Sequence, residues 1–148
     1  MYEKVLIPLD GSELAECSLV HVRNLSQGDQ IGEAILLHVL DPIVWCREGC
    51  DFVAVRNIQF KQAEKYIDKI KSQLGFEGIH TRVEILEGGI VASSIVDYAK
   101  ENAVDLIIIS SHGYTGSRRW LFGSVALKVL HDSHVPVLLI RPESCRQA

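Results

Sequence analysis

The sequence holds no apolar run approaching the roughly 18–20 residues that a bilayer-crossing helix needs. It also holds no basic run longer than Arg118-Arg119. The first absence argues against a membrane partner. The second argues against a dedicated nucleic-acid binder, whose affinity rests on many phosphate contacts. A formal net charge of −4 points the same way. The opening stretch, MYEKVLIPLDGSE, lacks the basic and apolar regions of a secretory signal, so the expected compartment is the cytoplasm. Cysteine is scarce, and in that compartment Cys17, Cys46, Cys50 and Cys145 are expected to be reduced thiols. Cys46 and Cys50 stand at C-x3-C, which is neither a redox C-x-x-C nor a zinc-finger spacing. They read as solvent-side loop residues. The Walker loop G-x-x-x-x-G-K-[ST] is missing, as is G-x-G-x-x-G after any strand.

What is present is alternation. A length of 148 residues suits one domain over residues 1–148, large enough to bury a core without a metal or a disulfide. Lys4–Leu9, Ala34–Leu40, Asp105–Ser110 and Pro136–Ile140 are short, nearly unbroken apolar runs, the pattern of strands covered on both faces. Ile79–Glu87 instead alternates Ile79, Thr81, Val83 and Ile85 with polar residues, which suits an edge strand. Helix-period segments lie between. Ser12 is placed to cap a helix carrying Leu14, Cys17, Val22 and Leu25. A longer helix runs from Val55 to Leu74 and is expected to stop at Gly75. Two more carry Val91, Ile95 and Tyr98, then Val125 and Val129. The expected fold is α/β and Rossmann-like: a doubly wound, five-stranded parallel sheet, order 3-2-1-4-5, with helices on both faces.

In such a sheet a ligand belongs where the winding reverses, outside the carboxyl ends of strands one and four. The loops that meet there are LDGSE and SSHGYTGSRRWLFGS. A helix opening at Gly123-Ser124 leaves its first N–H groups unpaired at a positive dipole end, a ready anion site. Gly113 and Gly116 free the preceding loop to fold back, and Arg118 with Arg119 can screen charge. A solvated loop face is the alternative for the arginines, and capping of the first helix is the alternative for Asp10. His112 suits packing better than catalysis, since no activated nucleophile stands beside it.

These residues carry a likeness. The spacing Ser110-Ser-His-Gly113, nine residues, then Gly123-Ser124, together with VLIPLDGSE, LLHVLD and PVLLIRP, resembles the universal stress protein family. The resemblance implies an adenine-nucleotide site. Asp10 would lie near ribose and adenine, and the backbone of Val39 would face the base. Gly113, Gly123, Ser124 and the amide of Val125 would surround the phosphates. Pro8, Leu9, Ser110, His112, Gly116 and Arg118 complete the candidate set, with no catalytic and no metal-binding residue assigned. The implied ligand is ATP, with ADP or AMP as alternatives and Mg accompanying the phosphates.

Ser110 departs from the family pattern, which has glycine there. A positive φ would cost serine about 1–2 kcal/mol, whereas a strand-like φ would accommodate it and leave its hydroxyl able to donate. Since Ser110 continues the run LIII, the strand-like form is expected. The apolar fifth strand at an edge invites pairing with a second copy, so a homodimer is expected. The expected activity is nucleotide-dependent stress signalling without robust catalysis, with protein partners unidentified. A slow ATPase or phosphotransferase and a nucleotide-free interaction dimer are the alternatives. The segment Asp41–Phe52 is expected as a lid, with Trp45 able to stack on a base.

Overall fold

The computed structural model describes residues 1–43, 46–111 and 123–141. Elements follow in the order β1 (Tyr2–Pro8), α1 (Glu13–Glu16), α2 (Ser18–Gln27), β2 (Ile31–Val39), α3 (Phe52–Phe76), β3 (Thr81–Leu86), α4 (Val91–Glu101), β4 (Leu106–Ser110), α5 (Ser124–Asp132) and β5 (Val137–Ile140). All five strands are parallel and lie in the order β3-β2-β1-β4-β5. This is the doubly wound sheet expected from the apolar runs.

Period-two side-chain alternation divides the core into two layers. Val5, Ile7, Leu36, Leu106 and Ile108 face α1, α2 and α3, where they meet Ala15, Leu19, Val22, Ile67, Ile70 and Leu74. Leu6, Ile35, Leu37, Ile107 and Ile109 face α4 and α5 and meet Ile95, Tyr98, Ala99, Ala126 and Val129. Each large aliphatic side chain so buried stabilises the fold by roughly 1.5–3 kcal/mol.

Three helices end at the opposite edge from the site in the same manner. After α3, Ile79 N–H bonds to the Leu74 carbonyl and Gly78 N–H to that of Gly75, both at 3.0 Å, with Gly78 at φ +79. This is the six-to-one, five-to-two pattern of a Schellman cap, and Leu74 and Ile79 pack together in the same cluster. Asp29 (φ +52) after α2 and Ala103 (φ +53) after α4 occupy the equivalent left-handed position. Gly75, expected as the terminator of the third helix, lies inside it. The helical pattern tolerates one glycine, and the chain reverses only where Gly78 supplies positive φ.

The first helical segment is also broken, into α1 and α2 at Cys17; Cys17 and Val22 of the expected stripe are buried, joined by Ala15, Ser18 and Leu19, with Leu25 packed against them. Ser12 caps α1 as expected, accepting from Ala15 N–H at 3.1 Å. The four reduced thiols expected from a cytoplasmic reading are corrected, because Cys46 and Cys50 form a disulfide. A tight turn with Gly49 at φ +86 brings their Cα atoms to 5.6 Å, within bridging range. No free cysteine remains among the described residues.

At the reversal of winding, β1 pairs with β4 through Val5–Leu106 and Leu6–Ile107. Asp105 clips that register: its carboxylate accepts from Glu3 N–H (2.8 Å) and Lys4 N–H (3.1 Å), while its own N–H donates to the Lys4 carbonyl (3.0 Å). Beyond those pairs each strand turns toward its other neighbour. Leu9 N–H bonds to Leu37 O (2.8 Å), and Ser111 N–H bonds to Ile140 O (2.8 Å). The divergence opens a cleft.

Candidate functional site

The cleft has a volume of about 330 Å³, within the range of small-ligand sites. Of the sequence-derived candidates, Pro8, Leu9, Asp10, Val39, Ser110, Gly123, Ser124 and Val125 all line it. His112, Gly113, Gly116 and Arg118 lie outside the described residues, as does Trp45.

One wall is the start of α5. Gly123 is its N-cap, and no side chain caps the helix. The N–H of Gly123 is used by the Ser111 carbonyl, and the first helical bond runs from Leu127 N–H to Gly123 O at 3.0 Å. The amides of Ser124, Val125 and Ala126 precede that bond and face the cleft end of the helix, where the dipole is positive. Gly123 has φ −73 and ψ 155, ordinary extended backbone. Its lack of a side chain therefore serves approach, not an unusual conformation.

Opposite stands Asp10, just past the end of β1. Gly11 at φ +90 turns the chain so that the Asp10 carboxylate accepts from Ser12 N–H (2.9 Å) and from Ser12 Oγ (2.5 Å). The capping role weighed for Asp10 is thus partly realised, at one remove: Asp10 holds Ser12, and Ser12 caps α1. The carboxylate is nonetheless exposed on the cleft wall.

Ser110 closes β4. It is not among the positive-φ residues, so the strand-like alternative holds and the serine carries no backbone strain. The residue is 6% exposed, and its Oγ is buried with no hydrogen-bond partner.

Sequence reading missed several wall residues. Val91, Ile95 and Ile109 form an apolar side, because α4 also opens toward the cleft, after Gly88 (φ +79) and Gly89 (φ +71). That pair of glycines after a strand was the available signal. His38 was missed too, and Asp41 was expected only as the first residue of a lid. His38 Nδ1 lies 2.8 Å from the Leu9 carbonyl, which ties the ends of β1 and β2 together. The Asp41 carbonyl accepts from Gln59 Nε2 at 3.0 Å and from Arg56 Nη1 at 3.4 Å, anchoring to α3 the segment expected as a lid. Among the described residues no group of three His, Cys, Asp or Glu side chains is arranged to hold a metal ion, and no helix is long and apolar enough to cross a membrane.

An open helix N-terminus facing a strand-end carboxylate at the sheet's reversal is a nucleotide-site geometry found on several α/β lineages, so the lineage is decided by sequence. The model of the universal stress protein family matches residues 1–141. The chain belongs to the universal stress protein family. Among its relatives, the universal stress protein MJ0577 of Methanocaldococcus jannaschii is 31% identical over 157 residues, covering 95% of this chain and 96% of the relative. The solved structure of MJ0577 superposes with a TM-score of 0.85 at 35% identity, covering 95% and 96% of the two chains. More distant members share the fold: one from Archaeoglobus fulgidus in complex with dAMP (TM-score 0.68, 22% identity, 94% and 98% covered) and one from Arabidopsis thaliana with AMP bound (0.69, 16%, 94% and 91%).

Proposed function

We propose that this universal stress protein is a single-domain binder of adenine nucleotide, ATP foremost, with ADP or AMP as alternative occupants. It acts in the stress response by occupancy and not by robust catalysis. The observation that carries the reading is the uncapped start of α5, whose three open amides meet the cleft opposite Asp10 at the reversal of the sheet. Such amides favour phosphoryl oxygens, and the apolar side formed by Val91, Ile95 and Ile109 offers the base a dry surface. Family members of the same fold hold AMP and dAMP, which supports the class of ligand. A Mg ion arriving with the phosphates would find two acidic residues, Asp10 and Asp41, on the cleft lining.

The edge strand β5 supports a homodimer. Its sequence is VLLI, and Leu138 is 37% exposed at a sheet edge that pairs with no other strand among the described residues. Pairing with a second copy removes that edge from water. The cytoplasm is where such a nucleotide is abundant, and the reading sets the protein there, with the Cys46–Cys50 bridge exposed to reduction.

Acid extraction of protein purified without added nucleotide tests the reading. Release of an adenine nucleotide in a fixed ratio to protein is expected. Its absence, together with no heat on titration of ATP, ADP or AMP into folded protein, would refute it.

A further inference from the structure

The Cys46–Cys50 bridge closes a loop too short to staple the whole fold. Its ends are separated by 4 positions in sequence, and the freedom that a disulfide removes from the unfolded chain grows with the length it closes. Both cysteines are half-buried, while Arg47, Glu48 and Gly49 between them are exposed. The turn therefore stands open to a small thiol in solution, and accessible bridges belong to the labile kind.

What the bridge holds is local. Gly49 at φ +86 and a bond from Cys50 N–H to the Arg47 carbonyl (2.9 Å) shape the turn. Cys50 passes the chain directly to Asp51, whose carboxylate caps α3 by accepting from Ala54 N–H at 3.0 Å. The start of that helix has no core beneath it: from Phe52 to Gln62 no residue is buried, and the first buried one is Ala63. A helical stretch without tertiary packing is marginal in water, so this one depends on its cap and its side chains. Arg56 lies over the Phe52 ring, 5.9 Å from its centroid, and Arg56 Nη1 donates to Gln59 Oε1 at 2.8 Å. Arg56 and Gln59 are also the donors that hold the carbonyl of Asp41, a residue of the cleft lining.

We propose that Cys46–Cys50 is a reversible thiol–disulfide site, set by a low-molecular-weight thiol and its disulfide, whose state decides how firmly the start of α3 holds Asp41. The inference stands apart from the ligand assigned to the cleft. In reduction a small thiolate attacks one bridge sulfur, forming a mixed disulfide and expelling the other cysteine as thiolate. A second small thiolate attacks the small-molecule sulfur of that mixed disulfide, forming the symmetric disulfide and expelling the remaining cysteine. Two small thiols are oxidised, two electrons pass to the bridge, and the two thiol protons end on Cys46 and Cys50; oxidation is the reverse. Opening the bridge frees the turn ahead of the cap, so the first turns of α3 fray and Asp41 loses its anchor.

Equilibration with mixtures of reduced and oxidised glutathione tests this, read by alkylation with mass spectrometry and by amide hydrogen exchange in nuclear magnetic resonance. The proteins are wild type and the double variant Cys46→Ser/Cys50→Ser. Wild type is expected to pass from bridge to dithiol and back across the glutathione series. With reduction, the amides of Val55 to Gln59 are expected to exchange about fivefold faster, the weight of one lost helix cap. Those of Ile67 to Leu74 stay unchanged, and the Asp41 amide signal moves. The double variant should match reduced wild type and ignore glutathione. A bridge that stays closed in excess reduced glutathione would overturn the proposal, as would α3-start exchange and an Asp41 signal alike in both states. Faster exchange spread evenly over the chain would overturn it too, making the bridge a staple of the whole fold. So would a glutathione response that persists in the double variant, which would assign the effect to another cysteine.

Discussion

Gly123→Val isolates the role of the α5 N-terminus. At φ −73 and ψ 155 the backbone of Gly123 is a conformation that valine adopts freely. The bond from its N–H to the Ser111 carbonyl survives the change, and no side-chain cap is lost. Valine is a poorer N-cap residue than glycine, a cost of about 1 kcal/mol or less. Restriction of the unfolded chain offsets this by roughly 0.4–1 kcal/mol. The melting temperature should therefore move by only a few degrees. Binding should respond differently, because two γ-methyl groups would stand at the mouth of the open amides. Losing two hydrogen bonds to a charged oxygen, each worth roughly 1.5–3 kcal/mol, removes about 3–6 kcal/mol, or a factor of about 10² to 10⁴ in affinity. Calorimetric titration with ATP, paired with a thermal melt of the same sample, measures both quantities. An unchanged dissociation constant in a folded variant would refute the placement of phosphate at α5.

Other expected outcomes follow from the same structure. A Cβ at Gly32 would lie 2.8 Å from the Glu3 carbonyl oxygen and 3.4 Å from its Cα, both backbone, so Gly32→Ala should destabilise the β1–β2 pairing by about 1–3 kcal/mol in urea denaturation. Ala103→Gly should stabilise by about 0.5–1 kcal/mol, since the exposed alanine holds φ +53 and the strain relieved exceeds the entropy added; no gain in denaturation midpoint would contradict it. Leu138→Lys should convert a dimer to monomers in sedimentation, and an unchanged dimer would exclude the β5 edge. Burial, and then the Glu84 charge, hold the Tyr98 phenol above its ordinary value of 10.0. The raised value means the associated stability is complete below about pH 10 and is lost as pH rises through the folded value. Tyr98→Phe should flatten that alkaline decline in urea midpoints, and a parallel decline in both proteins would assign it elsewhere.

How far the chain could be read in advance differs between core and rim. The strands were legible because Val5, Leu6, Ile7, Ile107 and Ile108 are covered on both faces, and an unbroken aliphatic run needs two helix layers to bury it. The strand order followed from the wetter pattern of β3, whose residues are all half-buried. Helix ends were less legible. A glycine inside a helix and a glycine that ends one look alike until positive φ is known, which is why Gly75 drew attention that belonged to Gly78. The Cys46–Cys50 bridge was hidden for a related reason, since only the turn at Gly49 brings the two residues together.

The candidate site divides similarly. Asp10, Ser110 and Gly123-Ser124 were visible because topology sets them at one end of β1, β4 and α5. His38, Val91 and Ile95 were not, because their place on the cleft wall depends on how β2 and α4 pack. No local spacing encodes that packing.

Amide chemical-shift mapping during titration with ATP tests the central claim most directly. The account predicts that the N–H signals of Ser124, Val125 and Ala126 shift together with that of Asp10, all saturating at one nucleotide concentration. Saturable shifts confined to another surface, with those four signals unmoved, would contradict it.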